Sequence, residues 1–205
     1  MSDQIVPTKG NLLATKKTLE LSRTGFELLD RKRNILIREM MALIGRAAKI
    51  QDQIDNTYDE AYAALQKANI TLGISGELSR TVPIDNNLNV AYRSVMGVEI
   101  PMVSLDTASI PIPFGLNATN IILDNAYNKF NEVKRLTAEL AEVENSVYRL
   151  ADAIKKTQKR ANALKNIMIP RFEAGVKMIT NALEEKDREE FSRLKVIKHQ
   201  KNNLS

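Results

Sequence analysis

The chain is 205 residues long, 43% hydrophobic and 27% charged but only 5% aromatic, with 8 Gly, 6 Pro and neither Cys nor Trp. This composition excludes a disordered, collagen-like or mucin-like chain, and without Cys there is no disulfide scaffold, thiolate metal site or cysteine nucleophile; a reducing, cytosolic setting is expected. The net charge of +5 invites an anionic partner, whether nucleic acid, anionic lipid or an acidic protein surface.

In chain order, the opening MSDQIVPTKG lacks a basic stretch followed by an apolar one, and no segment approaches the roughly 20 apolar residues of a membrane span. The expectation is a protein neither exported nor inserted into the membrane. Residues 9–69 carry a heptad seam. One column runs Leu12, Leu19, Phe26, Arg33, Met40, Ala47, Ile54, Ala61 and Ala68, and the other runs Thr15, Ser22, Leu29, Leu36, Leu43, Ile50, Thr57 and Ala64. Only Thr15, Ser22, Arg33 and Thr57 break the apolar rule, and so long a register predicts a coiled-coil helix. Gly25 is expected to let two helices approach closely.

Residues 70–116 differ in kind, because Pro83, Pro101, Pro111 and Pro113 and four of the glycines fall there. Leu88 to Val103 is rich in Val, Ile and Tyr with partial alternation, and Asp85-Asn86-Asn87 is a turn signal, so a short β-hairpin with loops is predicted. Ile110 to Phe114, IPIPF, is held extended by its prolines.

Residues 117–198 predict a second coiled-coil helix with Asn117 as N-cap. Its columns are Ala126, Val133, Leu140, Val147, Ile154, Ala161, Met168 and Leu136, Val143, Leu150, Thr157, Leu164. Near Pro170 the apolar spacing changes to steps of four, through Leu164, Met168, Phe172 and Val176. A stutter combined with a proline predicts a kinked or straightened segment there. Residues 199–205 read as a disordered tail. Two helices of about 61 and 80 residues, roughly 90 and 120 Å long, each with one narrow seam, must pair with each other or with a partner. The fold class expected is therefore all-α dominated: a long antiparallel two-helix coiled coil from the N- and C-terminal segments around a small insert. The alternative is a four-helix bundle, with each flank broken near Gly45 and Pro170, but bundle helices carry wider apolar stripes.

The chemistry of catalysis is missing. No GxxxxGK[ST] or GxGxxG is present, and the single His, His199, cannot build an HExxH site or a Ser-His-Asp triad. Glu184, Glu185, Asp187, Glu189 and Glu190 alternate with Lys186 and Arg188, the pattern of a solvated, ion-paired face rather than a sheltered acid/base pair. No catalytic, cofactor-binding or metal-binding residue is expected. Residues 155–201 hold thirteen Lys or Arg against six Asp or Glu, whereas residues 70–154 are net acidic. An antiparallel pair would add Lys9, Lys16, Lys17 and Arg23 to that basic C-terminal segment.

Pro7-Thr8-Lys9, Leu12, Leu19, Gly25, Leu28-Leu29 and Lys32-Arg33, then Lys159-Arg160-Ala161-Asn162-Ala163-Leu164, Ile169-Pro170-Arg171 and Arg188 to Lys195 together resemble the D subunit of the V-type and A-type rotary ATPases. Both flanks carry the resemblance; Lys165 departs from it, an acidic residue being expected there. The resemblance implies a non-catalytic central rotor shaft. Its termini would enter a hexamer of A and B subunits, a small F subunit would bind its side, and a funnel-shaped subunit would link it to the ion-translocating membrane ring. It would lie peripherally on the cytoplasmic face of the membrane, without direct insertion and without nucleic acid. Within that reading, Lys16, Lys17, Arg23, Arg160, Lys165 and Arg171 supply weak contacts to the hexamer sleeve, and Arg33 pairs across the coil with a carboxylate or snorkels to solvent. The alternative functions are a basic nucleic-acid-binding coiled coil and a helical adaptor, though acids interleave with the basic residues and no aromatic platform is present.

Overall fold

In a computed structural model, the structure describes residues 6–73, 76, 80–82, 84, 86–105 and 119–203. The elements are α1 (Lys9–Leu72), β1 (Leu88–Val95), β2 (Val98–Leu105), α2 (Ile121–Ala163) and α3 (Ile169–Asn203), with a five-residue π-turn, Leu164–Met168, joining α2 to α3. Long helical flanks enclose a hairpin, as the heptads and the Val/Ile-rich insert predict. Helix α1 passes through Gly45 unbroken, against the four-helix alternative. The last helix continues to Asn203, beyond the boundary at 198 and into the segment read from sequence as a disordered tail. Asn117 and Ile110 to Phe114 lie outside the described residues.

Two compact units form, each using both flanks: Asn34–Ile154, here the hairpin unit, and Met1–Arg33 with Lys155–Ser205, the terminal unit. In the hairpin unit the seven buried residues of α1 are Leu36, Leu43, Ile50, Ile54, Ala61, Ala64 and Ala68. All seven belong to the two heptad columns. Leu36, Leu43, Ile50 and Ile54 cluster with Leu136, Val143 and Leu150 of α2, also column residues, and Ala68 packs with Leu123. Burying each Leu or Ile contributes about 1.5–3 kcal/mol, which makes this stripe the main support of the unit. The helices run antiparallel, because the pairs Arg46 with Glu139, Lys129 with Glu60 (2.7 Å) and Asn120 with Thr71 (2.9 Å) descend along α2 as they ascend α1. Where the seam narrows to alanines, Tyr58, Tyr62 and Phe130 add area beside it, Tyr62 meeting Phe130 edge-on at 5.6 Å.

The seam also tolerates hydroxyls. Thr57 Oγ1 donates to the Gln53 carbonyl at 2.7 Å, and in the terminal unit Thr15 and Ser22 bond to the carbonyls of Asn11 and Thr18 in the same way. A hydroxyl that bonds back into its own helix leaves no polar group unsatisfied, so these departures from the apolar rule do not break the pairing. Asn120 starts α2: its Oδ1 accepts from the Leu123 N–H at 3.0 Å, the geometry of an N-cap.

Strands β1 and β2 pair antiparallel, from Val95 opposite Val98 to Leu88 opposite Leu105. The two turn residues, Met96 and Gly97, have φ of 51° and 77°, the positive angles of the tight turn that matches strand twist. Glycine takes that conformation freely and Met96 does not. Since Val95 and Val98 flank a two-residue turn they form a hydrogen-bonded pair, and alternation then points the N–H and C=O groups of residues 99, 101 and 103 away from β1. Pro101 occupies one of these outward positions, where its missing N–H removes no ladder bond.

Helix α2 caps that outer edge. Glu142 accepts from the Val103 N–H at 2.6 Å, Arg149 donates to the Glu99 carbonyl at 3.2 Å, and buried Ser146 reaches the Pro101 carbonyl at 3.5 Å. Residues 142, 146 and 149 follow the helical spacing of one face, so α2 carries a second stripe, polar, beside its apolar one. Ile100, 1% exposed, and the half-buried Val95 and Val98 join the apolar core from below the sheet.

Lys129 is held above the ordinary lysine range, chiefly by its hydrogen bond to Glu60. A raised folded-state value stabilises the fold below the unfolded pKa and is lost as pH rises through the folded one. The contribution of the Lys129 charge should therefore stay constant through the neutral range and be lost in strong alkali.

Two substitutions test this account by chemical denaturation and hydrogen exchange. Gly45→Ala places a methyl in open space on an exposed helix surface and should stabilise by about 0.5–1 kcal/mol. Glu142→Ala should destabilise the hairpin by about 1–3 kcal/mol, since it strands the Val103 N–H, and should speed exchange at Val103 while leaving the helix core protected.

Candidate partner-binding surface

The terminal unit is held by a thinner seam. Thr157, Ala161 and Ile179 are buried, while Leu12, Leu19, Phe26, Leu29, Leu164, Met168, Phe172 and Val176 are half-buried. One stripe per helix is engaged and the remaining surface faces outward. The steps of four beyond Leu164 coincide with the π-turn, where the Ile169 N–H donates to the Leu164 carbonyl, five residues back. Pro170 follows at once. It cannot donate to the Asn166 carbonyl and its ring crowds that group, so a wider turn accommodates it inside a continuous helical run. Gly25 is not the close-approach site expected: a Cβ there would meet Leu164 Cδ1 at 3.8 Å, an ordinary contact.

All six basic residues singled out from sequence lie in this unit, and all are exposed. Lys16, Lys17 and Arg23 stand on α1, Arg160 in the last turn of α2, Lys165 in the π-turn and Arg171 in the first turn of α3. Two of them already have partners within the chain. Arg23 pairs with Glu173 at 2.6 Å, both side chains about half exposed (58% and 48%), which contributes at most about 1 kcal/mol. Lys165 Nζ sits 5.7 Å from the Phe26 ring centroid, within cation–π range. Lys16, Lys17, Arg160 and Arg171 form no ion pair among the described residues.

Arg33 crosses the helix pair to the Gln158 amide. Its Nη1 donates to Gln158 Oε1 at 2.8 Å, and its charge is met on its own helix by Asp30 at 2.5 Å. The acidic run near the end of α3 is the ion-paired face its pattern predicts: Arg188 with Glu185 at 3.4 Å and Glu184 at 4.0 Å, and Arg193 with Glu189 at 3.7 Å. Among the described residues no group of three His, Asp or Glu side chains could hold a metal ion, and no helix is long and apolar enough to cross a membrane.

Sequence reasoning misses the apolar part of this surface. Leu13, Leu21 and Leu28 on α1 are 61–74% exposed, and Phe191, Leu194 and Ile197 on α3 are 58–70% exposed. The latter three recur every third residue and share one side of the helix. Their spacing is visible in the sequence, but a search for seam columns passes over leucines outside the columns. Exposed apolar side chains flanked by Lys and Arg suit a protein partner better than a polyanion, which would use the charges alone.

A sequence profile of the family described as the ATP synthase D subunit matches residues 11–199. Curated relatives agree along almost the whole chain. The V-type ATP synthase D subunit of Thermotoga neapolitana is 43% identical over 196 residues, covering 95% of this chain and 97% of the relative. The A-type ATP synthase D subunit of Thermococcus kodakarensis is 35% identical, covering 95% and 93%, and that of Methanobrevibacter smithii is 36% identical, covering 96% and 87%. With both flanks and the hairpin inside the match, the chain belongs to the D-subunit family of ATP synthases.

Proposed function

We propose that the chain is the non-catalytic central shaft of a V/A-type rotary ATPase, carrying torque between a nucleotide-hydrolysing A/B hexamer and an ion-translocating membrane ring. The observation that carries this reading is the match to the D-subunit family over residues 11–199 in a chain whose two ends pair in one unit. Torque transmission requires resistance to twist and bend. Long helices locked by apolar seams supply it, since closely packed interiors deform little. Nucleotide chemistry then belongs to the hexamer, in keeping with a sequence that has no phosphate cradle.

The surface of the terminal unit suits a turning contact. A shaft inside a sleeve must not be gripped at any one angle, and exposed Lys and Arg on long stems form pairs of about 0–1 kcal/mol that exchange readily. Lys16, Lys17, Arg160 and Arg171 would meet the sleeve directly. Arg23 and Lys165 would first exchange Glu173 and Phe26 for sleeve partners. The F-type and funnel-shaped subunits complete the set of partners, on the cytoplasmic side of the membrane. The nucleic-acid and adaptor readings gain nothing from the structure: acids interleave with the basic residues of α3, and Phe191, Leu194 and Ile197 call for an apolar neighbour.

Co-expression with the A, B and F subunits followed by size-exclusion chromatography should yield one assembly containing this chain; its exclusion from the assembly would refute the shaft reading. In the reconstituted motor, charge reversal of Lys16, Lys17, Arg160 and Arg171 together should alter ATP hydrolysis or its coupling to rotation severalfold, the loss of four contacts each of up to about 1 kcal/mol. Unchanged turnover and torque would remove these four from the sleeve contact.

A further inference from the structure

The two edges of the hairpin are treated differently. On β2, Glu142, Ser146 and Arg149 satisfy three of the outward backbone groups, the Val103 N–H and the Pro101 and Glu99 carbonyls. On β1, the same alternation points the N–H and C=O groups of Val90, Tyr92 and Ser94 outward, and among the described residues nothing pairs with them. Strand β1 is eight residues long and exposed almost throughout. It has neither proline nor bulge, and Arg93 is its one charge. Long, flat, apolar edges of this kind invite a further strand, and proteins that do not use them blunt them.

The edge is held ready. Tyr92 lies under the Arg149 guanidinium, 5.4 Å from the ring centroid to Cζ, and Arg149 also holds the opposite strand. Leu88, Val90 and Tyr92, each about half exposed, project from one face, while Ala91 and Arg93 project from the other. A helix laid on this face would cover the side chains and leave three backbone donors and three acceptors unmet. Only an extended segment satisfies both.

We propose that β1 is a strand-addition site, at which an extended segment of another subunit of the parent complex pairs with Val90, Tyr92 and Ser94 and makes the hairpin a three-stranded sheet. The segment carries apolar residues against Leu88, Val90 and Tyr92 and a carboxylate beside Arg93. The proposal rests on the chain being a subunit of that complex, and the test separates the two.

Hydrogen exchange resolved to single amides is measured on the isolated full chain and on the purified assembled ATPase, alongside side-chain oxidation footprinting. The amides of Ala91 and Arg93, which face β2, report hairpin integrity in both samples. On assembly, the amides of Val90, Tyr92 and Ser94 should slow by about tenfold or more as they gain partners. Val90→Pro removes one outward donor and no bond to β2. It should keep Ala91 and Arg93 protected and abolish the slowing at Tyr92 and Ser94. Shielding of Leu88 and Tyr92 side chains with outward amides still exchanging freely would mean a helix or loop covers the face, and would overturn the proposal. Protection that appears in the isolated chain with rising concentration would assign the edge to a second copy and overturn it too. Failure of the chain to enter the complex would instead defeat the shaft reading, and this inference with it.

Discussion

One apolar stripe on each of two long helices is the constraint from which the rest of this structure follows. A helix with a single narrow stripe is unstable alone in water, so each flank must bury its stripe on the other. In the hairpin unit the pairing engages Leu36, Leu43 and Ile50 against Leu136, Val143 and Leu150. Because the stripes are narrow, pairing consumes only one side of each helix. Every other side remains available, and the protein uses them in distinct ways.

The hairpin occupies one of these remaining sides. Helix α2 carries Glu142, Ser146 and Arg149 at helical spacing, and these meet the backbone edge of β2. A two-stranded hairpin is marginal in water by itself. Here it is ordered by Ile100 entering the core and by polar groups that replace a third strand. Pro101 fits the same logic, standing at a position where an N–H is dispensable.

Much of this is legible in the sequence. The two heptad columns locate every buried residue of α1, because a seam that stays in register has no alternative way to bury its leucines. Off the columns, legibility fails for physical reasons. Glu142, Ser146 and Arg149 look like ordinary solvent-facing residues until a strand is laid beside them. The turn at Met96-Gly97 lacks the usual Asn-Gly or Asp-Gly signal, and the Asp85-Asn86-Asn87 run that resembles a turn precedes β1 instead. Charge alone finds the basic residues, and it predicts exposure but not that Arg23 and Lys165 already have intrachain partners. Glycine beside a seam commonly marks a close approach, yet at Gly25 the 3.8 Å of clearance to Leu164 leaves room for a methyl.

The manner in which the hairpin is held bears on what its side chains can do. Glu142, Ser146 and Arg149 grip carbonyls and an N–H of β2, groups that every sequence possesses. Beyond Val95, Val98, Ile100 and Tyr92, attachment therefore depends mainly on backbone groups of β2. Leu88, Val90 and Met102 stay about half exposed. Single exposed apolar side chains are ordinary on a protein surface, whereas large contiguous patches mark interaction sites. The same reasoning applies to Leu13, Leu21 and Leu28 on the outer side of α1. In both units the fold is secured by a minority of the surface, and an apolar excess stays exposed elsewhere.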